Sequence, residues 1–421
     1  MSELQAAIKT QLSRQVTHWT EAAARLTDLN DLASSTAWQS LERYLGLSIQ
    51  HHLTTVVAQL VREGEVLKAT LGAAVSQPDL LMVRRQLLVF RNRYTRVETT
   101  LKFFADAINT RTNPRISGYL RACDILAYRS MAQLLDQLNK PTPSAFSYFE
   151  YGSIGAAVLR AYLRLWDGTG VNPVAAIKIT HHNMRRNTAL IHEAGHQAAA
   201  VVGWNQELAS KLATGLTGAP LGVPEEWAGW ASEIAADAFA FVHTGYGSVA
   251  ALHDVLASED AIVMRHRLGD PHPISYIRVL LGVEMCHQFY GNGPWDDLAQ
   301  AWIQVYSLDK ATSMTRSLLE VSLPLLPSIV QITLNEPMRC FSGRSLAALI
   351  NPERVKPQTL LAMEQQLGTA LYTSMHWIWT EALRLLALTG LRMATTPERK
   401  LDTFAQPEEW MLRLGGTVQA A

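Results

Sequence analysis

The chain has 421 residues, with 37 basic and 37 acidic side chains and 48% apolar content. That balance excludes intrinsic disorder and provides no whole-protein attraction to nucleic acid or anionic lipid. Its three cysteines, Cys123, Cys286 and Cys340, show neither ligand spacing nor a disulfide framework, so they read as small buried residues of a reducing, cytoplasmic protein.

The opening MSELQAAIKTQLSRQ lacks the apolar core of a secretory signal. From there to about Arg111 the apolar spacing is helical. One stripe runs through Leu45, Ile49, Leu53, Val56, Leu60 and Val61; a second runs through Leu80, Val83, Leu87, Phe90, Tyr94, Val97, Leu101 and Phe104. Gly72 and Ser76-Gln77-Pro78-Asp79 supply a turn and an N-cap between them, which predicts two long antiparallel helices of a bundle. His51 and His52 lack any neighbouring ligand set and read as solvated.

Asn113-Pro114 marks a boundary, followed by a helix over 116–138 that Lys140-Pro141-Thr142-Pro143 stops. Aromatic and β-branched residues predict strands over 145–151 and 174–180, while 155–166 is open between helix and strand. A sheet is expected nowhere else. Beyond Trp302 the pattern is helical again, punctuated by Pro324, Pro327, Pro337, Pro352 and Pro357, with one long helix expected over 365–388. The most apolar run, 318–334, carries Glu320, Pro324 and Pro327 and is expected to break there, so no membrane span is predicted. Three domains follow: a helical bundle over 1–112, a central domain over 113–300 and a helical region over 301–421. The fold class is predominantly α (α+β), with the small sheet in the centre.

The chemistry concentrates in the run Thr188 to Ala200, which contains His192-Glu193-Ala194-Gly195-His196. Histidines four apart share a helix face, so both rings can direct a nitrogen at one point and supply half of a tetrahedral zinc site. Glu193, beside the first histidine, is placed to take a proton from an activated water. Ala194 and Gly195 are expected to remove bulk on the cleft side. Catalytic zinc needs a third protein ligand. In the apolar run 231–242, Glu233 and Asp237 are the sole charges. Burying them is costly unless each has a partner. A metal ion would satisfy Glu233, and the second N–H of a ligand histidine would satisfy Asp237. Farther on, Asp270-Pro271-His272-Pro273 holds His272 in an extended segment, and Arg278 enters the next helix. His272 is a candidate for stabilising an oxyanion, with Tyr276 or Tyr246 assisting, and Arg278 for locking the Glu233 carboxylate.

HEAGH, then E-x-x-x-D, then HP-x-x-x-x-R, in that order, resembles the gluzincin clan of zinc peptidases, most closely the M48 family that includes the CAAX prenyl protease and heat-shock protease X. The resemblance spans about residues 180–281. It implies a zincin-like central domain with one zinc ion per chain bound by His192, His196 and Glu233, and Glu193 as general base. It further implies Asp237 one turn after the third ligand, with His272 and Arg278 as the HP histidine and its arginine. Family members usually carry membrane-spanning helices, so this chain reads as a soluble relative. The expected partner is a peptide or protein substrate, paired by strand addition near Phe146 or Ile177, with no nucleic acid. The helical flanks offer a surface for a protein partner or a lid over the cleft. An interaction protein built on a zincin core, with latent or no proteolysis, is the alternative; a zinc amidase acting on a non-protein substrate is a third possibility. His181 and His182 are not counted as ligands.

Overall fold

Apolar residues spaced three and four apart dominate the chain, and its computed structural model is accordingly helical, with one three-stranded sheet among the described residues. Described are residues 2–46, 48–150, 156–165, 168, 171–184, 187–216, 218–220, 222–396 and 400–416, without the side chains of 183 and 400–407. Residues 151, 155 and 166, the ends of two predicted segments, lie outside them. The chain forms two compact units: Met1–Asn113 with Ala161–Pro173, and Pro114–Arg160 with Val174–Ala421.

In the first unit, α1 (Glu3–Arg25), α3 (Ile49–Ala73) and α4 (Gln77–Asn109) pack on one another, and α2 (Ser35–Leu45) leans on α4. Leu53, Val56 and Leu60 of α3 and Leu80, Val83, Leu87 and Phe90 of α4 are buried, as their spacing requires. Ser76 and Asp79 cap α4 reciprocally, each side chain accepting the other's backbone N–H. Leu45 falls in α2 instead of the α3 stripe, because Gly46 ends α2 at φ +64°.

The second unit opens with α5 (Pro114–Leu135), which packs on β1 (Ala145–Phe149). The sheet order is β1-β3-β2, with β2 at Ala157–Leu159 and β3 at Ala175–Ile179. Phe146 of β1 stands opposite Ala176 in a parallel pair, and Val158 of β2 opposite Ile177 in an antiparallel one. Strand β3 is therefore central with both edges paired. That corrects the expectation that a peptide could add beside Ile177; among the described residues β1 and β2 are the outer strands.

Then follow α6 (Thr188–Val202), α7 (Trp204–Gly215), α8 (Val223–Gly229), α9 (Ala231–Thr244), α10 (Tyr246–Leu256), α11 (Asp260–Val263), α12 (Ser275–Tyr290) and α13 (Pro294–Val305). Helix α6 is held between β3, α5 and α9, and α10 packs against α9 and α12.

Two C-terminal expectations are corrected. The run Ser313–Asn335 is helical throughout, passing from α through a 3₁₀ turn at Leu323–Leu325 to a final π segment. Pro324 and Pro327 stand in the first turns of their segments, where a missing N–H breaks little. By length and composition alone this helix could cross a membrane, and 44% of its apolar window is buried in the fold. Residues 365–388 are not one helix. The helix Pro357–Leu367 ends at Gly368, whose φ of +53° other residues rarely adopt, and short helices lead on to Ala382–Thr395. That last helix packs on α9 and α10, so no unit boundary falls near residue 300.

Candidate metal centre

The centre starts from the approach of α6 to α9. A Cβ on Gly195 would lie 3.1 Å from the Ala236 Cα and 3.0 Å from the Phe239 Cβ. Gly195 therefore faces α9 and permits close helix contact; the expectation that it opens the cleft side is corrected. The opposing residues are Glu233 near His196 and Asp237 near His192, so the two helices run antiparallel and their polar faces meet.

The His192 and His196 Nε2 atoms are 3.1 Å apart. The Glu233 carboxylate places Oε1 3.2 Å from His196 Nε2 and Oε2 3.5 Å from His192 Nε2. Bonds of about 2.0–2.1 Å to a tetrahedral ion put neighbouring donors about 3.3 Å apart. The separations, which run to different oxygens of Glu233, lie near that spacing, and His192, His196 and Glu233 could hold a metal ion.

Around this group, Asp237, Arg278 and Ser232 pair with the ligating side chains. Asp237 Oδ1 accepts from His192 Nδ1 at 2.8 Å. Arg278, in the first turn of α12, donates from Nε to Asp237 Oδ2 at 2.6 Å and from Nη2 to Asp237 Oδ1 at 2.8 Å. The same Nη2 lies 2.9 Å from Glu233 Oε2, so one buried guanidinium fixes both acids. Ser232 Oγ, 3.3 Å from His196 Nδ1, accepts in turn from Asn205 Nδ2. Spacing gave no hint of Ser232 or Asn205; adjacency of Ser232 to Glu233 was the one available signal.

Burial opposes every charge here, and pairing decides the outcome. It pushes the Glu233 carboxyl up, but bonds to His192 and His196 and the Arg278 charge hold it far below the usual carboxylate range. Asp237 is likewise lowered against burial, chiefly by Arg278. Burial would neutralise His192, yet Asp237 and Glu233 hold the protonated ring up to about 10. A proton and a metal ion therefore compete for this imidazole. Arg278 stays above its ordinary value because the charge of Asp237 outweighs its own burial. Glu193 differs: it is 7% exposed, no hydrogen bond reaches it among the described residues, and burial raises its carboxyl pKa.

His272 closes the group from the loop before α12, with Nε2 3.6 Å from Glu233 Oε1. Its side chain is 58% exposed. Asp270, more than the flanking prolines, positions it: Oδ1 accepts from the His272 backbone N–H at 3.0 Å and from Nδ1 at 2.8 Å. Those bonds hold the Asp270 carboxyl below its usual value. His192, Glu193, His196, Glu233, Asp237, His272 and Arg278 are thus brought to one place. His192, Glu193, Glu233, Asp237, His272 and Arg278 line a cavity of about 240 Å³ whose wall also includes Ala156, next to β2.

Tyr246 and Tyr276 do not line that cavity. The Tyr246 hydroxyl donates to the Pro294 carbonyl, and Tyr276 is buried in the core, which corrects their expected part in stabilising charge. His181 and His182 lie in a turn after β3, beside a different cavity with Arg115 and Glu408. None of the three cysteines forms a disulfide; Cys123 and Cys286 are buried and Cys340 is half-buried. No protein-family model, curated protein or solved structure matches the chain.

Proposed function

We propose that the protein is a zinc-dependent endopeptidase, of the gluzincin kind that its three motifs resemble. The observation that carries this reading is the tetrahedral spacing of two imidazole nitrogens and one carboxylate, with a buried, unpaired carboxylate beside them and a cavity in front. A donor set of two nitrogens and one oxygen suits zinc and leaves a fourth position open. His192, His196 and Glu233 would hold the zinc ion, which when bound would supply Lewis-acid chemistry to a water and to the scissile carbonyl.

The chain's own groups do the rest. Glu193 accepts a proton from the attacking water and returns it to the amide nitrogen as the C–N bond breaks. Burial makes this carboxylate a stronger base than an exposed glutamate. Asp270 accepts from Nδ1 of His272 and so orients the ring, leaving Nε2 on the side of the group where an oxyanion would develop. Asp237 and Arg278 orient the ligands without touching substrate. Ala156, next to β2, is in the cavity wall, so the sheet borders the proposed substrate site.

The test is Glu193→Gln, assayed on an unstructured protein or a peptide library alongside elemental analysis. Bound zinc should be retained, while hydrolysis falls by about 10²–10⁴-fold, the usual contribution of a positioned acid–base group. Full activity in that variant would overturn the mechanism.

A further inference from the structure

We infer that the loop between α11 and α12 carries a binding site for a substrate carboxylate, built by Arg265 and Arg267 and lying within two residues of the bond that is cut. This rests on the peptidase reading and adds its substrate class, an acidic peptide.

Arg265 and Arg267 line a second cavity, of about 270 Å³, that adjoins the first: Leu256, His272 and Arg278 belong to both walls. The two arginine side chains are exposed, but the segment that carries them is anchored. Before them, Val263 and Met264 are buried. Between them, His266 Nε2 lies 3.2 Å from a carboxylate oxygen of Glu226, and its ring meets Trp230 edge-on with centroids 6.4 Å apart. After them, the Asp270 N–H donates to the Arg267 carbonyl at 3.1 Å, closing a turn that Gly269 permits at φ +78°. The backbone thus fixes a cation on each side of a tethered histidine.

Neither guanidinium is ion-paired or hydrogen-bonded among the described residues. The one acid in this wall, Asp270, already accepts twice from His272. Arg278 is engaged by Asp237 and Glu233. Positive charge is therefore in excess, and a planar carboxylate is the group that two guanidinium forks match. Ile262, Pro273 and Ile274 give the cavity an apolar side that suits the methylenes of a glutamate. His272 Nε2 is 3.6 Å from Glu233 Oε1, and successive Cα atoms of a peptide are about 3.8 Å apart. A carbonyl placed at the metal group therefore brings a residue one or two positions along to this cavity. A lysine there meets like charge, and a neutral side chain leaves both arginines to water.

The experiment has two arms on the full-length protein. Amidated peptides carrying Glu, Gln or Lys at each position within two residues of the scissile bond give ratios of kcat/KM. At one of those positions Glu should exceed Gln by roughly tenfold in low salt, the scale of a charge-assisted hydrogen bond partly screened by water. Added salt should shrink the ratio. Arg265→Gln combined with Arg267→Gln should abolish the preference and leave hydrolysis of the Gln peptide unchanged, and the corresponding double glutamate variant should favour Lys. Gln peptides with a free C-terminus at the same position report whether a chain end supplies the carboxylate; a preference for them over the Glu peptides assigns the site to a terminal carboxylate. The second arm needs neither metal nor turnover. In protein labelled at its isoleucine δ1 methyl carbons, with the Ile262 signal assigned through Ile262→Val, the α-amide of N-acetyl-glutamate should shift that signal and N-acetyl-glutamine amide should not. The double glutamine variant should not respond. A Glu preference that survives in that variant, or no carboxylate preference together with an unmoved Ile262 signal, overturns the site and leaves the peptidase reading intact. An Ile262 shift with no hydrolysis of any peptide supports the carboxylate site while sinking the peptidase reading.

Discussion

The two histidines of the candidate metal centre are supported unequally, and the difference sets a measurable order. His192 donates to a buried carboxylate at 2.8 Å, whereas His196 meets a hydroxyl at 3.3 Å. In Asp237→Asn the amide oxygen can replace one carboxylate oxygen only. If it keeps the His192 bond, the new NH₂ faces the Arg278 Nε–H across 2.6 Å; if it keeps Arg278, His192 loses its acceptor. A bond to a charged group is worth about 1.5–3 kcal/mol. Loss of such an outer partner typically lowers metal affinity about 10–100-fold, or roughly 1.4–2.8 kcal/mol. Ser232→Ala removes one long neutral bond worth about 0.5–1.5 kcal/mol, or roughly 2–10-fold. Zinc affinity measured by competition with a fluorescent chelator near neutral pH, with circular dichroism to check folding, should therefore rank wild type above Ser232→Ala above Asp237→Asn. Equal losses in the two variants, or no loss in Asp237→Asn, would refute the argument that the carboxylate sets the ring.

Other consequences are as direct. Gly195→Ala drives a methyl against the Ala236 backbone, which cannot rotate away, so α9 should move off α6 at a cost of about 1–3 kcal/mol. Because Glu233 rides on α9, chelator competition should show zinc affinity falling with it; retained affinity would contradict this packing. Arg278→Met leaves two buried carboxylates without their cation and should destabilise the metal-free protein by about 3–5 kcal/mol, with Arg278→Lys recovering only part, as read by thermal unfolding in the presence of chelator. His243, fully buried with Nε2 unpaired among the described residues, has its pKa lowered to about 3 by burial and by the nearby Arg354 charge. In the unfolded chain it takes up a proton near pH ~6.5, so its contribution is complete above that value and declines as pH falls, by about 1.4 kcal/mol per unit. Acids with lowered values, such as Glu233 and Asp237, lose theirs only below about pH 4, where unfolded carboxylates begin to protonate. Denaturant titrations between those limits should slope in wild type and flatten in His243→Leu; parallel slopes would assign the effect elsewhere.

How far the sequence was legible depends on which contacts are local. His192 and His196 were readable because helix periodicity alone puts them on one face. Glu233 and Asp237 were readable because two acids in an otherwise apolar helix have few cheap placements. Asn205 and Ser232 meet only through the packing of α7 on α9, which no spacing encodes. The hold of Asp270 on His272 is a two-residue turn, yet the flanking prolines masked it as the simpler explanation. Gly195 was read by residue type without knowing which side α9 approaches. Pro324 and Pro327 were read as breaks, although a proline in the first turn of a helical segment is tolerated. In 365–388 apolar periodicity continued across Gly368, while the backbone needed a positive φ there.

Glu193 bears most directly on the choice between an enzyme and an interaction protein that keeps a metal only for structure. A structural site is closed and all of its polar atoms are paired. Here Glu233, Asp237, His192 and Arg278 satisfy one another, but Glu193, equally buried, receives no hydrogen bond among the described residues and faces the cavity. A carboxylate turned to the cavity contributes nothing to holding an ion that His192, His196 and Glu233 could hold by themselves. An apolar residue of similar size would be more stable in a pure scaffold. That arrangement favours the proposed reading, in which the carboxylate acts on a molecule that enters the cavity and its raised pKa helps it accept and return a proton there.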